Sequence, residues 1–102
     1  MEYKLVYSTL ALIDANEAST WYDNQAQGLG PRFLIDLEKT LSVIQRNPYT
    51  FSFLHGQTRK ARLAKFPFVV LYHISGSDVY IAGVVSTKRS NRYMRKRGKR
   101  RK

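Results

Sequence analysis

Two basic residues, Lys60 and Arg62, stand two positions apart in the chain, a spacing that places both on one face of a strand. Ala61 and Leu63 alternate with them, which predicts a β-strand with its basic side chains on one face and its apolar side chains on the other. Metal-free cleavage of RNA needs a base for the 2′-hydroxyl, cations for the crowded phosphate and an acid for the leaving oxygen. Two cations on a rigid strand suit the second task. The alternative interpretation is a solvated strand face without chemistry.

A second candidate lies near the C-terminus, where Tyr93 stands among Arg89, Arg92 and Arg95, outside any apolar stripe. Aromatic residues interleaved with arginines are typical of RNA contacts, because rings stack on bases while cations follow the backbone. The alternative is that Tyr93 packs on the folded body and fixes the start of the C-terminal segment.

The charge of the chain is concentrated in this C-terminal segment. The protein has 102 residues and a formal net charge of +11. Residues 1–87 carry eight basic and seven acidic side chains, whereas residues 88–102 carry ten basic side chains and no acid. The block 95–102 has seven basic residues in eight positions, a composition that predicts an extended, mobile arm.

We expect this arm to add non-specific affinity for polyanions, and the alternative is a solubilising tail without a partner. The residues predicted to contact nucleic acid are Arg92, Arg95, Lys96 and Arg97.

Other chemistries find little support in the sequence. The absence of cysteine excludes disulfides and thiolate metal sites. The acidic residues are scattered, so no metal site and no cofactor are predicted, and Asp14 and Glu17 are expected on a solvated helix face. His73 lies in an apolar run, where a partly buried structural role is favoured over that of a catalytic base, and His55 is expected in a loop.

No stretch approaches the ~20 apolar residues needed to span a bilayer, and the N-terminal residues lack the order of a signal peptide. A cytoplasmic protein that does not bind membranes is expected.

The first half of the chain predicts a strand and two helices. Residues 2–8 are rich in strand formers, and Ser8 or Thr9 can cap the helix that follows. Gly28 is expected to close that helix, and Pro31 to take the first position of the next. The first helix has a stripe of mostly small residues, which Trp21 widens: Ala11, Ala15, Ala18, Tyr22 and Ala26. The second has a stronger apolar stripe: Phe33, Leu34, Leu37, Leu41 and Ile44.

The second half changes to the period of strands. Asn47-Pro48 ends the second helix, because a residue before proline avoids the helical region. A short extended piece is expected over residues 50–54. Three antiparallel strands with short connections are then predicted over residues 59–64, 68–74 and 79–85.

With the two helices as an antiparallel hairpin over one face of the sheet, the chain predicts an α+β fold. One domain is expected over residues 1–93, followed by a basic tail over residues 94–102.

In order and spacing, these residues resemble the RelE/ParE toxin superfamily of bacterial type II toxin–antitoxin systems. The resemblance extends from residue 2 to about residue 93. Its first block is Ala18, Trp21, Tyr22, Gln25, Gly28, Leu29, Gly30 and Phe33. Its second is Leu37, Glu38, Leu41, Ile44, Asn47 and Pro48. Its third is Arg59, Ala61, Leu63, Lys65, Phe66, Pro67, Phe68, Val70 and Tyr72, followed by Arg89.

The RelE-like branch implies catalytic roles for particular residues. Lys60 and Arg62 fall where that branch carries two basic strand residues, Arg89 falls at its arginine, and Tyr93 lies near its tyrosine. The chain departs from the pattern at Val69, where RelE has an arginine, and at Ser86, near the place where many relatives carry a histidine.

The resemblance also implies what the protein acts on. A RelE-like toxin cleaves mRNA in the ribosomal A site, whereas a ParE-like toxin inhibits DNA gyrase without catalysis. A third possibility is an antitoxin-binding remnant without toxicity. In the first two cases growth inhibition, with plasmid stabilisation as its biological setting, is expected. A cognate antitoxin protein is the expected partner, docked on the sheet face or in the groove of the helical hairpin, and a homodimer is left open.

Overall fold

The computed structural model describes residues 2–98, which form a five-stranded sheet with helices on both faces. The elements in chain order are β1 (Lys4–Tyr7), α1 (Thr9–Gln25), α2 (Leu29–Arg46), β2 (Phe53–His55), β3 (Thr58–Arg62), β4 (Phe68–Ser75), β5 (Asp78–Ser86) and α3 (Asn91–Gly98). The strand order is β1-β5-β4-β3-β2, with β1 parallel to β5 and the other neighbours antiparallel. The predicted α+β arrangement of strand, helical hairpin and three-stranded meander is confirmed. The extended piece expected over residues 50–54 corresponds to strand β2, which begins later and places His55 in the sheet rather than in a loop. Helix α3 was not predicted.

The beginning of α1 follows the prediction, whereas the beginning of α2 does not. Ser8 caps α1, and its hydroxyl accepts a hydrogen bond from the backbone N–H of Ala11 at 3.0 Å. Helix α2 begins at Leu29, two residues before Pro31. The cause is the residue before it, because Gly28 adopts a left-handed conformation (φ +89°) that turns the chain directly into the helix.

A side chain on α1 holds this turn. The carboxylate of Asp23 accepts hydrogen bonds from the backbone N–H groups of Gly28 and Gly30, at 3.0 and 3.1 Å. Gly30 also allows the two helices to approach closely, since a Cβ there would lie 2.6 Å from the carbonyl oxygen of Ser19. The groove between the helices, where an antitoxin was expected, is therefore closed at this end.

The hairpin covers one face of the sheet and encloses the main core. Phe33 is fully buried, and its ring lies 5.6 Å from that of Tyr22, 5.4 Å from that of Phe66 and 5.1 Å from that of Phe68. Trp21, expected to widen the buried stripe, is instead 58% exposed. Neighbouring helix positions point about 100° apart, so the rotation that buries Tyr22 turns Trp21 outward.

Helix α3 covers part of the opposite face of the sheet. Met94 is its buried anchor, in a cluster with Val69, Leu71, Ala82 and Val85. The expectation of an extended arm is therefore wrong for residues 95–98, which are helical, whereas residues 99–102 lie outside the described part of the chain. Composition missed this helix because it is stabilised by tertiary contacts, such as the burial of Met94, and by cations near its C-terminal dipole.

The end of α3 lies directly on the sheet. A Cβ on Gly98 would lie 2.6 Å from Cγ2 of Thr58, so glycine permits this close approach. The hydroxyl of Thr58 donates a hydrogen bond to the Gly98 carbonyl oxygen at 3.2 Å. Within residues 2–98, no helix is long and apolar enough to cross a membrane.

Candidate functional site: a cationic pocket beside helix α3

Strand β3 presents its two basic side chains on the face that the hairpin does not cover. Lys60 and Arg62 are exposed, while Ala61 and the following Leu63 are buried under the hairpin. Across the ladder, Lys60 pairs with Leu71 and Arg62 pairs with Val69. The predicted division of this strand into a basic face and an apolar face is therefore confirmed.

A cavity of about 600 Å³ opens above this face, between β3, the segment before β2 and the start of α3. Lys60, Arg62 and Arg89 all line it, and Val69 and Met94 are its buried apolar residues. The remaining lining residues are neutral: Thr50, Phe51, Ser52, Thr87 and Asn91. We call this cavity the cationic pocket. The fold thus brings together three residues that lie up to 29 positions apart in the sequence.

The turn after β5 directs Arg89 towards the pocket. Thr87 holds this turn twice, since its N–H and its hydroxyl both donate to the carbonyl oxygen of Pro67, at 2.9 and 3.2 Å. The N–H of Arg89 donates to the Ser86 carbonyl oxygen at 3.1 Å. These bonds fix the backbone from which the exposed Arg89 side chain extends.

Tyr93 lies beside the pocket rather than in its lining. The Arg89 guanidinium carbon stands 4.6 Å from the centre of the Tyr93 ring, a cation–π distance. The phenol oxygen of Tyr93 accepts a hydrogen bond from Nη1 of Arg97 at 3.0 Å. Tyr93 therefore connects two arginines, one at the pocket and one in the protein body.

Arg97 is the most constrained of the residues predicted to contact nucleic acid. Its guanidinium forms an ion pair with Asp14, and both side chains are largely buried, with 15% of Arg97 and 13% of Asp14 exposed. Burial by itself would lower the pKa of Arg97, but the hydrogen bonds and charges of Asp14 and Tyr93 raise it above its ordinary value. Arg92, Arg95 and Lys96 differ from it, because they are exposed on α3.

Asp14 is the partner that the sequence did not reveal, and the expectation of a solvated carboxylate is wrong. The same oxygen that faces Arg97 accepts a hydrogen bond from the N–H of Val84 at 2.9 Å. Strand β1 pairs with β5 only as far as Ile81, so this N–H lies on β5 beyond the end of its neighbour. Asp14 and Arg97 are 83 positions apart, and no local pattern signals their contact.

Gly83 makes room for this ion pair. A Cβ at this position would lie 3.1 Å from Nη2 of Arg97 and 3.3 Å from the Asp14 carboxylate. A larger residue would press on both partners, so the glycine in an otherwise apolar strand belongs to the site.

The cationic pocket is suited to bind phosphate groups. Among its described lining residues there is no carboxylate and no imidazole, so its electrostatic potential is positive. Arginine stays protonated in proteins, which leaves Lys60 as the ionisable lining group that can exchange a proton. In residues 2–98 no group of three or more His, Asp or Glu side chains could hold a metal ion.

The residues at which the chain departs from the RelE pattern lie at the pocket or close to it. Val69 is its apolar base. The hydroxyl of Ser86 accepts a hydrogen bond from the N–H of Lys88 at 3.2 Å, and this residue helps to form the turn before Arg89. His73 is half-buried in β4, with its ring 6.2 Å from that of Tyr80, and does not line the pocket.

Neither the family models nor the curated proteins contain a match to this chain, but solved structures do match it. One is a chain of the chromosomal ParDE TA system from P. aeruginosa, with a TM-score of 0.74, 13% identity, and coverage of 83% of this chain and 96% of that chain. Another belongs to the toxin–antitoxin complex RelBE2 from Mycobacterium tuberculosis, with a TM-score of 0.62, 22% identity, and coverage of 84% and 99%. The predicted resemblance to the RelE/ParE superfamily is therefore confirmed at the level of the fold.

Proposed function

We propose that this chain is the toxin of a toxin–antitoxin pair and that it inhibits translation by cleaving mRNA on the ribosome. The convergence of Lys60, Arg62 and Arg89 on one pocket supports this proposal. Three cations around an apolar base give the pocket a positive potential that suits the negative charge of a crowded phosphate.

The roles of the residues follow from their chemistry. Arg62 and Arg89 carry fixed charges and planar donor groups, which suit the non-bridging oxygens of the phosphate. Lys60 is assigned the transfer of a proton to the leaving 5′-oxygen, because its ammonium is the lining group with a proton to give, and the proton of the 2′-hydroxyl passes to water. Tyr93 holds Arg89 through its ring, and Arg92, Arg95 and Lys96 on α3 add contacts to the RNA backbone.

Inhibition of DNA gyrase without catalysis is the second candidate function. Val69 favours it, because an apolar residue occupies the base of the pocket where the RelE-like pattern has a third arginine. Among its described lining residues, the pocket also has no carboxylate or histidine that could act as a base beside Lys60. A cationic surface without an efficient base suits binding to an acidic protein or a DNA complex better than it suits chemistry.

The partner that holds this toxin inactive is expected on the hairpin. Its outer surface exposes large apolar side chains, five of which are Leu10, Ile13, Leu34, Ile35 and Val43. Exposed apolar groups in such number mark interaction surfaces, and an amphipathic helix of an antitoxin would cover them. The proposed dock is this outer surface rather than the groove between the helices, which is closed at the Gly30 end.

Two assays with the same purified protein separate the functions. A translation reaction is analysed for cleaved mRNA, and a gyrase reaction for supercoiling. Cleaved mRNA with normal supercoiling supports the first function, and the variant with Lys60→Ala and Arg62→Ala must then leave the mRNA intact. Blocked supercoiling with intact mRNA establishes the second function instead. The cognate antitoxin must reverse either effect, and its failure to do so would contradict the toxin assignment.

A further inference from the structure

The ion pair between Asp14 and Arg97 lies outside the cationic pocket but is joined to it by a chain of contacts. Asp14 on α1 holds Arg97, Arg97 donates to the phenol oxygen of Tyr93, and the Tyr93 ring faces the guanidinium of Arg89. Arg89 is the member that lines the pocket. The contacts form a continuous path from the first helix to the proposed phosphate site.

The first three members of this path, Asp14, Arg97 and Tyr93, are each held by a described contact. The Asp14 carboxylate is fixed by the N–H of Val84 on β5. The largely buried guanidinium of Arg97 is fixed between two acceptors, the Asp14 carboxylate and the Tyr93 phenol oxygen. The hydrogen bond from Arg97 to the Tyr93 phenol oxygen restricts the orientation of the Tyr93 ring. Arg89, in contrast, is exposed, and the Tyr93 ring is the one described partner of its guanidinium. An exposed arginine samples many rotamers unless a neighbour restricts it.

We propose that Asp14 and Arg97 are positioning residues that act through Tyr93 to orient Arg89 towards a bound phosphate. This inference rests on the proposed function for the identity of the ligand, RNA. The contacts from Asp14 to Arg89 do not depend on that function. It assigns Arg97 a role inside the protein rather than in direct contact with nucleic acid. It also gives Asp14, an acidic residue, a favourable effect on the binding of a polyanion.

The sign of this effect separates positioning from simple electrostatics. Removal of a negative charge near a polyanion site normally strengthens binding, because it removes a long-range repulsion of the polyanion. If Asp14 positions Arg89, its neutralisation must weaken binding instead. Glu17 provides the matched control, because it lies one turn further along α1, is exposed and has no described contact with Arg97. It borders the same small cleft as Asp14, Arg89, Tyr93 and Arg97, so its charge, like that of Asp14, lies close to the site.

The first measurement is the affinity of the full chain for a short fluorescent single-stranded RNA, with the variants Asp14→Asn and Glu17→Gln. Asparagine can still accept the bond from Val84, so the substitution removes mainly the charge that holds Arg97. We expect Asp14→Asn to weaken binding by about threefold to tenfold, the range of one ordinary net hydrogen bond, because the lost ion pair acts on the phosphate only through Tyr93 and Arg89. Glu17→Gln should leave the affinity unchanged or raise it. The effect of Asp14→Asn should also disappear when Arg89 is replaced by alanine, because non-additivity is the sign of a shared path.

The second measurement does not depend on RNA binding. The Arg89 guanidinium carbon lies 4.6 Å from the centre of the Tyr93 ring, so we expect the ring current to displace the NMR resonance of the adjacent Nε–H proton. Tyr93→Leu removes the ring and defines the undisplaced position. We expect Asp14→Asn to move the Arg89 resonance at least part of the way to that position, and Glu17→Gln to leave the resonance in place.

The outcomes distinguish the two proposals. If folded Asp14→Asn leaves the Arg89 resonance unmoved, or if its affinity changes with the same sign as that of Glu17→Gln, the positioning role is refuted. If the unaltered protein fails to bind RNA while the resonance still moves, the proposed function fails and the positioning role stands. Should Asp14→Asn fail to fold, Tyr93→Phe replaces it, since this variant keeps the ring but loses the bond from Arg97.

Discussion

The two faces of the sheet differ in how completely they are covered. The face under the hairpin is closed by aromatic rings around Phe33 and by small residues of α1 that let the helices approach. The other face is covered only in part by an eight-residue helix with one buried large side chain, Met94. The first face thus provides most of the stability, and the second keeps cations exposed around an apolar base. Substitutions on the two faces should therefore separate folding from activity.

The largest effect on folding is expected from Phe33→Ala. Phe33 has no exposed surface and contacts three other aromatic rings, so its truncation leaves a cavity that rigid neighbours cannot fill. The free energy of unfolding should fall by about 3–5 kcal/mol, measured by urea denaturation. Leu34→Ala on the exposed side of the same helix is the control and should cost far less. A loss below about 1 kcal/mol for Phe33→Ala would show that this face is not the main core.

An intermediate effect is expected from Tyr72 in alkaline solution. Its buried hydroxyl donates to the Pro48 carbonyl oxygen at 2.6 Å, and burial raises its pKa from 10.0 to about 12, although Arg59 partly opposes this shift. The phenol is neutral in both states below pH 10. Between pH 10 and 12 it ionises in the unfolded chain but not in the folded protein, so unfolding is favoured.

The free energy of unfolding should therefore fall by up to about 2.7 kcal/mol over this interval through Tyr72 alone, at about 1.4 kcal/mol for each unit of pKa shift. Denaturation at several pH values, compared with Tyr72→Phe, isolates this contribution because the lysines titrate in both proteins. Equal pH dependence in the two proteins would be inconsistent with a buried neutral phenol.

The smallest effect on folding, together with loss of toxicity, is expected from the double variant with Lys60→Ala and Arg62→Ala. Both side chains are exposed on the face opposite to buried Ala61, so their truncation opens no cavity in the core. The free energy of unfolding should stay within about 1 kcal/mol of that of the unaltered protein. Growth arrest in cells that express the variant should be lost, because the pocket keeps only one of its three cations.

The matched control for this variant removes one lysine and one arginine elsewhere. Arg32→Ala with Lys39→Ala changes the net charge equally on the exposed side of α2. It should remain toxic. If the variant with Lys60→Ala and Arg62→Ala arrests growth as strongly as this control, the role of the basic strand face is refuted.

Local patterns predicted the parts of this protein whose causes are local. The cap at Ser8, the end of α2 before Pro48 and the alternation around Lys60 each depend on a few neighbouring residues, and the structure has all three. The α+β order followed from the change of apolar period between the two halves of the chain. The two residues of the cationic pocket on β3 were predictable, because the alternation of basic and apolar residues alone assigns Lys60 and Arg62 to the uncovered face.

Only the tertiary structure decided how the C-terminal segment behaves. By composition, residues 95–98 belong to a block that repels itself, yet Met94 and Gly98 pack on the sheet and make the segment helical. The same packing brings Arg97 to Asp14, 83 positions away, and converts one cation of the charged block into part of the folded body. A sequence states how many charges a segment carries, but the distance between two charges depends on how the chain folds. The sequence by itself therefore determined the elements and the basic strand face, whereas the fold determined which arginine is buried, which one faces the pocket and what connects them.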